Sequence, residues 1–216
     1  MYAADRDPHG RERLRMAGEL RQTVAAGGLT VHYQPKGDLP TGLVRGVEAL
    51  VRWQHPRHGL VGPDTFLSLA EDAGMMVELT HTVLSQSLRQ AAAWRAAGVP
   101  LSVAVNLSAS SVVDAELPAR VAGLLAEHAL PADSLLVEIT EQLLMADRVR
   151  AQSVLAELRR LGVQVGVDDY GTGYSSLAYL RELPIDELKL DRSFVSPLAS
   201  DAGAATIVRS TIELAH

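Results

Sequence analysis

The chain has 216 residues, 47% apolar and 21% charged, which is enough for one sizeable core and too apolar for a disordered segment. Its formal charge is -6, from 20 basic and 26 acidic residues, which argues against a broad basic surface for polymeric nucleic acid but leaves room for a small anionic ligand, since bound metal ions can reverse the local sign. The absence of cysteine excludes disulfides and thiolate metal sites and permits a reducing compartment. No apolar run approaches the roughly 20 residues of a membrane span, and the charged stretch Met1 to Arg15 is wrong for a secretory signal.

A charged opening is followed by apolar, strand-like runs that alternate with helical patterns. The strands are predicted at Leu29–Gln34, Gly46–Arg52, Leu101–Asn106, Leu135–Ile139, Val163–Asp168 and Glu187–Leu190. They are short and aliphatic, mostly without strict alternation, which suits strands buried on both faces of a parallel sheet. Between them, Met76, Leu79, Val83, Leu84 and Leu88 keep one helical stripe, which Gly98 and Pro100 end. Val121, Leu124 and Leu125 mark a second helix. Ala151, Val154, Leu155, Leu158 and Leu161 mark a third, with Gly162 placed as its left-handed cap. A shorter helix is predicted at Ser175–Glu182, and a last one carries Ile207, Val208 and Ile212. Alternation of this kind implies an α/β fold, either an eight-fold barrel or an open doubly wound sheet.

The polar residues near strand ends are the informative feature. Glu48 lies inside Val47–Val51, Asn106 closes Val103–Val105, and Glu138 follows Leu135–Val137. Asp168 and Asp169 close Val165–Val167, and Lys189 sits between Leu188 and Leu190. In a parallel barrel the C-terminal strand ends converge on one rim, where active sites lie. Each residue alone has a plain structural explanation: an edge acid, a turn-starting amide, a snorkelling lysine, or a salt bridge from Glu138 to an arginine such as Arg120. Five such coincidences are less probable than one site. Carboxylates gathered on one rim would repel each other and lose hydration, and a single lysine cannot balance them. Hard divalent cations can, and an Asp, Glu and Asn oxygen set suits Mg²⁺ or Mn²⁺. Zinc is disfavoured because no histidine closes these strands. The stretch Gly171–Ser176 resembles a glycine-rich phosphate loop, but the acids before it would repel a bare phosphate, so it is read as a turn-forming loop beside the metals.

These segments resemble the EAL family. The namesake Glu48–Ala49–Leu50 continues through Val51–Arg52–Trp53–Gln54–His55–Pro56. Tyr33–Gln34–Pro35, Asn106–Leu107–Ser108 and Glu138–Ile139–Thr140–Glu141 match in order and spacing, as do Asp168–Asp169–Tyr170–Gly171 and Lys189–Leu190–Asp191. Lys36, next after the first of these, departs from the family by replacing the aliphatic residue usual there, a change expected to alter the pocket rim. The resemblance implies a TIM-like (β/α)8 barrel whose first strand is antiparallel. It also implies hydrolysis of cyclic di-GMP to linear pGpG at a two-metal Mg²⁺ or Mn²⁺ site. By motif position, Glu48, Asn106, Glu138 and Asp168 would hold one metal, and Asp168 with Asp169 a second. Lys189 would orient or help activate the attacking water, Glu141 would anchor the glycine-bearing loop, and Gln34 and Arg52 would contact substrate.

The family's Ala-Glu-Gly-Val-Glu segment and its eighth strand do not follow Leu214–Ala215–His216, so the expected barrel is C-terminally truncated to about six strands. Residues 28–216 are assigned to the EAL domain. Residues 1–27 are read as a linker helix, resembling the end of a GGDEF (diguanylate cyclase) domain, or as an ordinary amphipathic leader. The rival function is a catalytically inactive cyclic di-GMP receptor. A cytoplasmic location and homodimerisation through the barrel are further implications of the resemblance.

Overall fold

A computed structural model of the chain describes residues 8–140, 147–172 and 183–215, with the side chains of residues 8, 9, 214 and 215 set aside. The chain opens with helix α1 (Pro8–Ala25). Strands β1 (Leu29–Gly37) and β2 (Val44–His55) follow as an antiparallel pair, and a short β3 (Gly59–Val61) folds back onto the end of β2. Helices α2 (Pro63–Asp72) and α3 (Met76–Ala96) lead to β4 (Ser102–Asn106). A one-turn helix α4 (Ala109–Val112) and α5 (Leu117–Glu127) precede β5 (Leu135–Thr140). Helix α6 (Arg148–Arg160) connects to β6 (Gln164–Tyr170), and β7 (Glu187–Leu190) is followed by α7 (Arg192–Val195) and α8 (Ala202–Ala215).

The sheet runs β1-β2-β4-β5-β6-β7, parallel from β2 onward, with β1 antiparallel and β3 paired to β2. This is the α/β arrangement expected, antiparallel first strand included. The two ends of the strand path, β1 and β7, are not hydrogen-bonded to each other among the described residues. All six predicted strands are present, each within a few residues of the expected bounds. Four elements were not foreseen: β3 and the one-turn helices α4 and α7, because three or four residues carry too little periodicity, and α2, whose start is marked only by Pro63 at its first turn. Gly98 and Gly162 take the left-handed conformation, with φ of 81° and 93°, at the ends of α3 and α6, as their positions require. The helix predicted at Ser175–Glu182 lies outside the described residues.

Strands β4, β5 and β6 are buried on both faces, as expected, with Ala104, Leu136 and Glu138 as enclosed as Val105, Leu135 and Val137, whereas β1 and β2 alternate. On β2, Val47, Ala49, Val51 and Trp53 are buried against the helices, while Glu48, Leu50 and Arg52 alternate with them and stay half-exposed. The same alternation runs through β1, where Leu29 is buried and Thr30, Gln34 and Lys36 fall on the other face. On β1 and β2 the face packed against helices is covered, and the alternate face can carry polar groups. The covered face holds the core. Trp53, Phe66, Leu84, Leu88, Leu135, Ile139, Leu155 and Leu158 have at most about 1% of their surface exposed. Full burial of one such side chain contributes about 1.5–3 kcal/mol.

Helix α1 is fastened to this body by polar contacts as well as by Leu20. The indole N–H of Trp53 donates to the Thr23 hydroxyl at 3.1 Å, and Glu19 bonds the buried His55 ring at 2.8 Å. Arg21 donates to the Ala73 carbonyl at 3.2 Å. No helix among the described residues is long and apolar enough to cross a membrane.

Candidate active site

Strand register and the two-residue side-chain period bring the polar residues together. Gln34 stands opposite Glu48, Asn106 opposite Glu138, and Asp168 opposite Thr140. Because the parallel strands advance in step, their C-terminal ends form one edge, and alternate residues point to one side of it. Gly46 permits the close approach of β2 to β4 that this requires: a Cβ there would lie 2.5 Å from the Ser102 hydroxyl.

At the centre is the ammonium of Lys189. It donates to Asp168 Oδ2 at 2.9 Å, to Glu138 Oε2 at 3.0 Å and to Glu48 Oε2 at 3.1 Å. The remaining oxygen of Glu48 accepts from Asn106 Nδ2 at 2.9 Å. Carboxylate oxygens of Glu48, Glu138 and Asp168 all lie within 4.8 Å of one another. Glu138 has no exposed surface, whereas Glu48 and Asp168 keep 19% of their side chains exposed. Desolvation pushes the Glu138 carboxyl above its ordinary range, and Lys189 opposes that shift. For Lys189, burial pulls the ammonium down, but the bonds and charges of Asp168 and Glu138 outweigh it and hold the lysine protonated well above its ordinary range.

The other expected site residues divide. Asp169 follows Asp168 in a left-handed conformation, φ 54°, and its backbone N–H donates to Asp168 Oδ1 at 2.8 Å. It is exposed and is not one of the three clustered acids. Its carboxyl is raised, first by desolvation and then by the neighbouring Asp168 and Asp191 charges. A non-glycine residue held at positive φ is uncommon and marks a place where the surroundings over-determine the backbone. Arg52 turns its guanidinium to its own strand, donating to the Val51 carbonyl at 2.8 Å. Glu141 lies outside the described residues. Arg120, the suggested structural partner of Glu138, is instead paired with Asp114.

One residue of the cluster was seen in the sequence only as part of the rim. Lys36 reaches Glu138 Oε1 at 3.4 Å and Glu187 Oε1 at 2.5 Å. The signal was available: Lys36 is two residues after Gln34, and Glu187 two before Lys189, so a two-residue period places both on the site face.

Beside the acids lies a cleft of about 510 Å³. Its lining mixes polar groups, among them Asn106, Thr140, Asp168 and Asp169, with apolar Leu50, Leu67, Met76 and Leu79. A pocket of that size with convergent polar groups is suited to a small molecule. The donor set fits a hard divalent cation: three carboxylates and an amide converge where the Lys189 ammonium now supplies the opposing charge.

A parallel α/β sheet with an antiparallel leading strand carries its acidic cluster at the C-terminal edge, the position of the active site in barrel-type folds. Comparison with known proteins makes the assignment specific. The EAL domain family model matches residues 17–216, and the chain belongs to that family. It is 41% identical over 214 residues, 99% of its length and 31% of the relative's, to the bifunctional diguanylate cyclase/cyclic di-GMP phosphodiesterase MucR of Pseudomonas aeruginosa. It is 43% identical over 206 residues to the cyclic di-GMP phosphodiesterase NbdA of the same organism, covering 95% of this chain and 26% of that one. The chain thus spans about a third or less of these curated relatives. Among solved structures, the PaMucR phosphodiesterase in complex with c-di-GMP superimposes with a TM-score of 0.86 at 42% identity, covering 93% of this chain and 81% of that one. The EAL enzyme Bd1971, bound to cAMP and cyclic di-GMP, gives a TM-score of 0.88 at 30% identity, covering 97% and 58%.

Proposed function

We propose that this chain is the catalytic part of a cyclic di-GMP phosphodiesterase that hydrolyses its substrate to linear pGpG with Mg²⁺ or Mn²⁺. The observation that carries the reading is the convergence of Glu48, Asn106, Glu138 and Asp168 around Lys189. The names of the relatives support it, since two of them are described as acting on cyclic di-GMP.

Glu48, Asn106, Glu138 and Asp168 would hold the first cation, and Asp168 with Asp169 a second. Bound there, the cations would supply Lewis acidity, making water more acidic and screening charge on the phosphoryl oxygens. The chain's own groups set the stage. Asn106 fixes the rotamer of Glu48 through Oε1, leaving Oε2 aimed at the centre. Glu138, fully buried, is held from moving by the packed strand around it. Lys189, whose ammonium reaches Glu48, Glu138 and Asp168, would orient or help activate the attacking water. Gln34, across from Glu48 on β1, and Arg52, whose guanidinium would leave the Val51 carbonyl, would contact the dinucleotide.

The test is conversion of cyclic di-GMP to pGpG by purified protein with Mn²⁺ or Mg²⁺, followed by chromatography. The expected result is metal-dependent pGpG formation that chelation abolishes. Tight binding of cyclic di-GMP by folded, metal-loaded protein with no pGpG would replace this reading with that of a receptor.

A further inference from the structure

Glu138 has an ammonium on each of its oxygens. Lys189 takes Oε2 at 3.0 Å, and Lys36 lies 3.4 Å from Oε1. With no exposed surface, Glu138 has no water to make up for a lost partner, so whichever cation faces Oε1 controls its availability. Lys36 is shared. Its shorter contact, at 2.5 Å, goes to Glu187 of β7, which is 38% exposed and stands opposite Gly166. Glu187 therefore acts as an arm that draws Lys36 partly away from Glu138. Lys36 and Glu187 come from β1 and β7, the two ends of the strand path, and meet across the site face.

We propose that Lys36 is an affinity-setting residue for the divalent cation: its tethered charge competes with the metal for Glu138, and Glu187 sets how strongly it competes. The inference rests on the metal site of the proposed function but concerns residues outside the ligand set. The physical basis is simple. A fixed positive charge within a few ångström of a bound divalent ion opposes binding, and the opposition is strong where the shared carboxylate is buried.

The experiment is a Mn²⁺ titration of purified protein, read by calorimetry and by loss of the free-Mn²⁺ electron paramagnetic resonance signal, with no turnover involved. Lys36→Met is expected to tighten Mn²⁺ binding by about tenfold or more, because one opposing charge is gone. Lys36→Arg keeps the charge and is expected to stay within about threefold of the wild type. Glu187→Gln releases Lys36 onto Glu138 and is expected to weaken binding severalfold, an effect that shrinks when Lys36→Met is also present. Circular dichroism and a melting curve confirm that each variant is folded. If the wild type binds Mn²⁺ and folded Lys36→Met binds no more tightly, or if Lys36→Arg tightens binding as much as Met does, the inference is overturned and the metal site stands. If the wild type binds no Mn²⁺, the metal site falls, and this inference with it.

Discussion

Replacing Lys189 with methionine removes the one cation among the described residues that touches Glu48, Glu138 and Asp168 together. Removing one partner of a buried ion pair costs ~3–5 kcal/mol, because the remaining charge is left without compensation. Two features of the site reduce that figure. The Lys189 side chain is 24% exposed, so water can enter in its place. Glu138, already pushed up by desolvation, can take a proton once the lysine that opposes the shift is gone. The net expectation is a loss of ~2–4 kcal/mol in metal-free protein near neutral pH. At about 2–4 °C per kcal/mol for a chain of this size, melting falls by about 4–16 °C. The loss depends on pH with a definite sign. A carboxyl whose folded pKa is raised binds more protons folded than unfolded, so stability falls as pH rises through that range. In the variant the Glu138 shift is larger, so the gap from wild type widens as pH rises above the ordinary carboxyl range. Mn²⁺ in excess supplies the missing charge and is expected to recover at least half of the gap. Urea unfolding of both proteins at two pH values, with Mn²⁺ and with chelator, measures all of this. Metal-free Lys189→Met as stable as wild type at pH 8 would refute the claim that the lysine holds the three acids together.

Asp168→Ala removes an oxygen from the centre of the cluster and is expected to lower the rate of pGpG formation by about 10²-fold or more, with weaker Mn²⁺ binding in the same titration. Trp53→Ala is expected to cost ~3–5 kcal/mol in urea unfolding, because a fully buried side chain is lost together with its bond to Thr23 of α1. Protease susceptibility of α1 should rise in that variant. Gly171→Ala places a Cβ 2.8 Å from the Phe194 ring on a backbone with φ of 99°, so a destabilisation of ~1–3 kcal/mol is expected, read by thermal melting.

Much of the site was legible as a list before it was legible as a place. Apolar runs interrupted near their ends by Glu48, Asn106, Glu138, Asp168 and Lys189 violate the pattern of a buried strand, and a violation repeated in five segments marks a site. The left-handed glycines after α3 and α6 were legible for a local reason, since a helix end needs a residue that tolerates positive φ. Local chemistry of this kind acts over a few residues and leaves its mark in the order of the chain. Lys36 and Glu187 were not assigned a role, although the strand period places each on the site face, because they are 151 residues apart and nothing local links them.

What the sequence by itself determined was therefore the alternation of strands and helices, and the kinds of side chain at the strand ends, because both follow from near-neighbour sterics and hydrophobic periodicity. Tertiary structure alone decided which oxygen of Glu138 meets which lysine, that β1 and β2 alternate in burial where β4 to β6 are buried on both faces, and that Asp169 stands apart from Asp168. Those outcomes depend on register between strands, and register is settled by the packing of the whole sheet against its helices, a sum over contacts distant in the chain.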